Sequence, residues 1–204
     1  MKQFIVLIFF IIFGCFAGFS QKFEGGVLGG LNASQVDGDT YSGYKKPGIV
    51  AGGYVITNLS HNLFAGMELK FSQKGSRNID SLAINGQIKY VMRLNYVDLP
   101  VYLGIRTNDR ISILLGLSPG FLLSGTEYND YGKFVTQDQH PFNAFDLEAL
   151  LGFRFKLSNR LFADLRGAYS LLPVREKPGI ILSYWKGSQF NNLLSTTILY
   201  RLDF

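Results

Sequence analysis

From Phe145 to Lys156 the chain alternates strictly. Phe145, Leu147, Ala149, Leu151, Phe153 and Phe155 occupy one set of positions, and Asp146, Glu148, Leu150, Gly152, Arg154 and Lys156 the other. A period of two sends successive side chains to opposite faces of an extended strand, so the segment has one greasy face and one charged face. The pattern returns as Leu161, Ala163, Leu165, Gly167 and Tyr169 against Phe162, Asp164, Arg166, Ala168 and Ser170. It runs earlier through Leu63, Ala65, Met67, Leu69 and Phe71 against Phe64, Gly66, Glu68, Lys70 and Ser72. The final segment reads Leu194, Thr196, Ile198, Tyr200, Leu202 and Phe204 against Ser195, Thr197, Leu199, Arg201 and Asp203. About ten alternating residues is the length a tilted strand needs to cross hydrocarbon.

Four weaker segments complete the set. Residues 23–31 and 48–57 are glycine-rich; 88–105 alternates through Ile88, Tyr90, Met92, Leu94 and Tyr96; and 111–123 runs through Ile111, Ile113, Leu115 and Leu117. The connections 58–62, 106–110 and 157–160 are short and polar, whereas 32–47, 73–87, 124–144 and 172–193 are long. Eight strands joined by short turns at one end and long loops at the other predict an all-β fold: an eight-stranded, antiparallel, up-and-down transmembrane barrel with its turns in the periplasm. In lipid every backbone N–H and C=O needs a partner, and only a closed sheet leaves no edge unpaired.

A barrel of this size has an interior just wide enough for side chains. The greasy set then faces lipid, and Glu68, Lys70, Lys89, Arg93, Asp146, Glu148, Arg154, Asp164, Arg166, Arg201 and Asp203 face inward. Both signs are mixed there, which reads as an ion-paired plug rather than a catalytic pair or an ion pathway. A soluble lipocalin-like barrel would carry the same alternation with its faces exchanged. Gly66, Gly116 and Gly152 on the charged face, making room for long charged neighbours, and the ending Tyr200, Leu202, Phe204 favour the membrane form. Pro100 and Pro119 interrupt strand patterns and demand a bulge or a strand end, Pro100 toward the periplasmic rim and Pro119 toward the outer one.

The first twenty residues stand apart. Lys2 precedes an unbroken apolar run from Phe4 to Phe13, and Gly18-Phe19-Ser20 places small residues where a signal peptidase reads. The expected division is a cleaved signal peptide over 1–20 and a barrel domain over 21–204, exported to the outer membrane of a Gram-negative-type cell. Cys15, the sole cysteine of the 204 residues, falls in the removed part, which leaves no disulfide or thiolate metal site.

Composition narrows the function classes. The chain is 47% hydrophobic and 17% charged with 23 glycines and 18 phenylalanines, too apolar for disorder. The formal charge of +5 is spread among interleaved acids, which excludes a nucleic-acid surface. Gly25, Gly26, Gly29 and Gly30 lack the Gly-Lys-Ser/Thr of a phosphate loop, and no Gly-x-Ser-x-Gly element is present. His61 and His140 fall at opposite ends of the expected barrel. No enzyme, cofactor or metal is expected.

What remains are the long loops. Tyr128, Tyr131 and Phe134 in one, and Tyr184 and Trp185 in another beside Arg175, Lys177 and Lys186, form a candidate surface for a protein or glycan ligand or lipopolysaccharide. They fit an interfacial aromatic belt equally well.

The segments 25–32 (GGVLGGLN), 66–75 (GMELKFSQKG) and 95–103 (NYVDLPVYL) resemble the outer-membrane β-barrel family labelled porin-like or PorT-like, over essentially the whole mature chain. The resemblance implies the barrel fold and, for Tyr200, Leu202 and Phe204, the C-terminal signal read by the barrel-assembly machinery. It also implies an accessory role in secretion. The expectation is a monomeric, non-enzymatic scaffold, surface-binding or envelope-organising protein lodged among outer-membrane lipid. A narrow pore for small solutes is the alternative.

Overall fold

The computed structural model describes residues 22–79, 88–129, 132–133, 141–176 and 185–203, with the side chains of 79, 88, 89, 185 and 186 outside that set. Ten strands follow in chain order: β1 (Phe23–Asp39), β2 (Lys46–Asn58), β3 (Leu63–Ile79), β4 (Ile88–Asp98), β5 (Val101–Arg106), β6 (Ile111–Asn129), β7 (Gly132–Lys133), β8 (Phe145–Lys156), β9 (Leu161–Ser170) and β10 (Trp185–Leu202). β4 and β5 are two halves of one wall strand, both lying between β3 and β6, and β7 is a two-residue extension of β6. Eight antiparallel wall strands remain. The ring closes where β1 meets β10, in register from Gly25 opposite Leu202 to Asp37 opposite Phe190.

The oily residues point outward. Leu115 is 64% and Leu31 62% exposed, while Asp146 is 0% and Glu68 2% exposed. Leu69, Leu103, Leu117, Phe121, Leu151, Leu165 and Ile198 continue the exposed apolar wall. Such a surface is stable only against lipid, and it excludes the lipocalin-like arrangement. About ten residues of tilted strand make a band roughly 25 Å tall. Its upper edge is a polar girdle: Gln73 Nε2 donates to Asn95 Oδ1 at 3.0 Å, and Asn95 Nδ2 donates to Ser124 Oγ at 2.9 Å. Short turns after β2, β5 and β8 form the opposite, periplasmic end.

The strands reach further than the alternation predicts. β1 runs to Asp39, β3 to Ile79 and β6 to Asn129, and β10 begins at Trp185, inside segments read as loops. Above the girdle the outer face meets water instead of lipid, so the greasy-out rule inverts. On β4 the residues Tyr90, Met92, Leu94 and Tyr96 are buried and pack with Val36 into a core, while Arg93 is exposed on the outside. The expectation that Arg93 faces the interior is therefore corrected.

The two prolines meet. Pro100 separates β4 from β5, and Leu99 N donates to Pro119 O at 2.8 Å across the same break. N–H and C=O of one strand residue point the same way, so the donor that Pro119 lacks would aim at the interruption. Pro119 thus sits in the middle of the wall beside Pro100, not toward the outer rim.

Candidate functional site

Among the described residues the middle of the barrel is packed with side chains. Its inward side chains are stacked in three ionic tiers, each drawing on strands far apart in sequence.

The tier nearest the periplasm is built on Arg154 and Asp164, register partners on β8 and β9. Arg154 donates from Nε and Nη2 to the two oxygens of Asp164, both at 2.8 Å, and from Nη2 to Tyr102 Oη at 2.9 Å. Arg166 reaches across the lumen to β3, donating to Glu68 at 3.0 and 2.5 Å, and also bonds Asp164. Lys70 lies 3.6 Å from Glu68. Gly152 makes the space: a Cβ there would come within 2.7 Å of Arg166 Cγ. Gly66 and Gly116 open room for the ring and Cβ of Tyr102, an aromatic rather than the charged neighbour anticipated for them.

In the middle tier Lys74 Nζ stands among three carboxylates: Glu148 at 2.8 Å, Asp98 at 3.1 Å and Asp146 at 3.8 Å. The ammonium also lies 4.6 Å from the centre of the Tyr96 ring. Asn191 Nδ2 donates to Asp146 at 2.9 Å. Between this tier and the first lies a cavity of about 20 Å³, room for about one water.

The outer tier lies above the girdle. Arg175 grips Glu127 with both Nη atoms, at 2.7 and 2.8 Å, and donates from Nε to Gln189 at 2.9 Å. Its guanidinium sits 4.1 Å from the Phe142 ring, and Tyr90 Oη donates to Glu127. Burial, with the Glu127 carboxylate next, pushes the Tyr90 hydroxyl well above its usual range. Val174 and Arg175 turn inward at this mouth: Val174 is fully buried and donates its N–H to Gln189 O at 2.8 Å.

Several predicted interior residues lie elsewhere. Asp203 is exposed at the periplasmic rim and pairs with Arg160, because β10 has already left the lumen there. Arg201, about a third exposed, pairs with Glu24 at 2.8 Å in the periplasmic mouth. The Lys89 side chain lies outside the described residues. Asp146, Glu148, Arg154, Asp164 and Arg166 are all buried in the lumen. Of the candidate ligand residues, Tyr128 is partly exposed on β6, an outer strand end rather than a loop. Tyr131, Phe134 and Tyr184 and the side chain of Trp185 lie outside the described residues. Tyr200 and Leu202 face outward from β10, and Phe204 is not among the described residues.

Sequence reasoning missed Lys74, Asp98 and Glu127, and it placed Arg175 on a ligand-binding loop surface, where the structure instead buries it against Glu127. Lys74, Glu127 and Arg175 stand in segments read as loops. Asp98 shares parity with Tyr96, on the face that the alternation assigns to lipid, so no inward signal marks it in the sequence.

Arg93 and Arg77 mark the outer surface just above the apolar band, and the Lys46 side chain is buried beside them. Ser34 Oγ donates to Lys46 O at 3.3 Å and Gly75 O at 2.9 Å, holding β2 against β3, and Arg93 is the register partner of Gly75. Arg77 follows two residues along β3. Burial, then repulsion from Arg93 and Arg77, push the Lys46 amine down to about 8.

A closed ring with an oily exterior, an ion-paired interior and short turns at one end is an integral outer-membrane β-barrel. The chain belongs to the outer membrane protein beta-barrel domain family, which matches residues 19–175. A search of curated protein sequences finds no match. Among solved structures the chain is similar to Ail, the attachment invasion locus protein of Yersinia pestis, in complex with the heparin analogue sucrose octasulfate. The two share 14% identity with a TM-score of 0.51, over 89% of this chain and 99% of Ail. It is also similar to Neisserial surface protein A, with 11% identity and a TM-score of 0.50, over 88% of this chain and 97% of the other. Both likenesses are of fold.

Proposed function

We propose that this protein is a non-enzymatic, non-conducting scaffold that presents a binding face on the cell surface. The observation that carries this reading is the packing of the lumen among the described residues: three ionic tiers, with a cavity of about 20 Å³ between the lower two, and Val174 and Arg175 buried in the outer mouth. Buried carboxylates that are already held by Lys74 and Arg166 have no access to a substrate. Export follows cleavage of residues 1–20, and the barrel domain begins at residue 21. The β10 side chains Tyr200 and Leu202, with Phe204, serve the assembly machinery.

The ligand class is an anionic glycan or the phosphorylated headgroups of lipopolysaccharide. Lys45, Arg77 and Arg93 at the outer edge of the apolar band supply the positive charge, and the Ail structure, with its sulfated sugar, offers a precedent on the same fold. The test has two arms. In planar bilayers the purified barrel shows no unitary currents; reproducible conductance would overturn the non-conducting part. Immobilised heparin and lipopolysaccharide vesicles capture the barrel, and a variant carrying Arg77→Gln and Arg93→Gln is captured far less. Capture of neither ligand would overturn the surface-binding part.

A further inference from the structure

The periplasmic end of the barrel is not filled. Below the Arg154–Asp164 tier a vestibule of about 600 Å³ opens between the short turns, within the range of small-molecule sites. Five cationic side chains line it, Arg106, Arg110, Arg154, Lys156 and Arg201, against the carboxylates of Glu24 and Asp109. Glu24 is engaged by Arg201 at 2.8 Å, and Arg154 is spent on Asp164 and Tyr102. Among the described residues Arg106, Arg110 and Lys156 make no ion pair.

Arg106 is set in place beforehand. Its Nη1 donates to His61 O, in the turn after β2, at 2.9 Å and its Nη2 to Asn58 Oδ1 at the end of β2. Its guanidinium lies 4.9 Å from the centre of the Phe64 ring, and that of Arg154 lies 5.7 Å from the same ring. Two guanidinium groups are thus held against one aromatic side chain, Arg154 at the floor of the cleft and Arg106 at its rim, with further positive charge beside them. A cleft in which one sign predominates, bounded by low-dielectric walls, concentrates field lines and draws counter-ions of the opposite sign. The fixed guanidinium loses little freedom when it takes a ligand.

We infer that this vestibule is a binding site, facing the periplasm, for a small water-soluble oxyanion carrying two or more negative charges on carboxylate or phosphoryl groups. The polar rim sets Arg106, Arg110 and Lys156 around the opening, so a ligand with a single charge leaves two of these cations unengaged. Arg154 closes the floor, so the anion is held at the mouth and does not cross.

The experiment uses the full barrel in nanodiscs, with pyrophosphate and citrate as probes, read by calorimetry and by amide NMR shifts. Expected is saturable one-to-one binding at low salt, with a Kd below about 1 mM that weakens as salt rises. The shifts are expected to cluster on the turns 58–62 and 106–110. Tighter binding of pyrophosphate assigns phosphoryl chemistry, and tighter binding of citrate assigns carboxylates. Lys156→Gln changes an exposed side chain, and Arg106→Gln a positioned one. Each is expected to weaken binding about tenfold, with heat-modifiable migration on gels unchanged. Absence of saturable binding by both probes, shifts confined to the extracellular end, or unchanged affinity in both variants would overturn the site.

Discussion

Arg166 and Glu68, 98 residues apart in sequence, face each other across the barrel lumen and share two hydrogen bonds of 3.0 and 2.5 Å. Neither charge has water to fall back on. Removing one partner leaves Glu68 with only Lys70, or Arg166 with only Asp164, a loss toward the lower end of the roughly 3–5 kcal/mol that breaking a buried pair costs. Arg166→Met or Glu68→Gln should each lower unfolding stability in urea by roughly that amount. Combining them should cost less than the sum of the two, as a double-mutant cycle in lipid vesicles would read.

Gly66 faces the Tyr102 ring so closely that a Cβ would lie 2.4 Å from Cζ. Gly66→Ala is therefore expected to destabilise the barrel by about 1–3 kcal/mol through overpacking. Tyr102→Leu loses ring contacts and the hydroxyl that Arg154 uses. If the steric account is right, the double variant is less destabilised than the two singles added together. Strict additivity would count against it.

Tyr90 sits in the outer tier, in water's reach of neither face, and donates to Glu127. Its folded-state acidity constant lies above the unfolded value of about 10. The stabilisation it contributes is complete below pH 10 and is lost as pH rises beyond that, because the unfolded chain releases its proton first. Tyr90→Phe should cost about 1.5–3 kcal/mol near neutrality, and the gap between variant and wild type should narrow from pH 10 to 12.

Lys46 works in the other sense. With its amine pushed down to about 8 and an unfolded value of 10.5, the unfolded chain holds the proton more tightly between those two values. Stability therefore rises with pH across that window. Lys46→Met should flatten this rise in a series of unfolding measurements from pH 7.5 to 10.5. An unchanged slope would assign the effect to other groups.

Much of the wall was legible in the sequence. Segments 145–156 and 161–170 alternate cleanly because each position there meets either hydrocarbon or the ionic lumen, and these two environments select opposite chemistry. The alternation misleads where that contrast ends. At Arg93 the outer face is wet, so a charge belongs outside and Tyr90, Met92 and Leu94 belong within. The tiers were half legible. Asp146, Glu148, Arg154, Asp164 and Arg166 announce themselves as charges in an alternating strand. Lys74 and Arg175 do not, since their partners Asp98, Glu148 and Glu127 are chosen by ring closure, which no local pattern records. The vestibule escaped for a similar reason: turn residues at 61, 106 and 110 look like ordinary solvated polar positions until the strands bring them round one opening.

The middle tier has a consequence for how such a wall can be laid down. Lys74 comes from β3, Asp98 from β4, and Asp146 and Glu148 from β8. A half-curled sheet would present those four groups bare on its concave side while its terminal strands still lacked neighbours. Hydrocarbon tolerates neither defect, and both disappear when β10 docks on β1. Curling and entry into the bilayer are therefore one cooperative event, in which electrostatic neutralisation and the joining of the two ends arrive together.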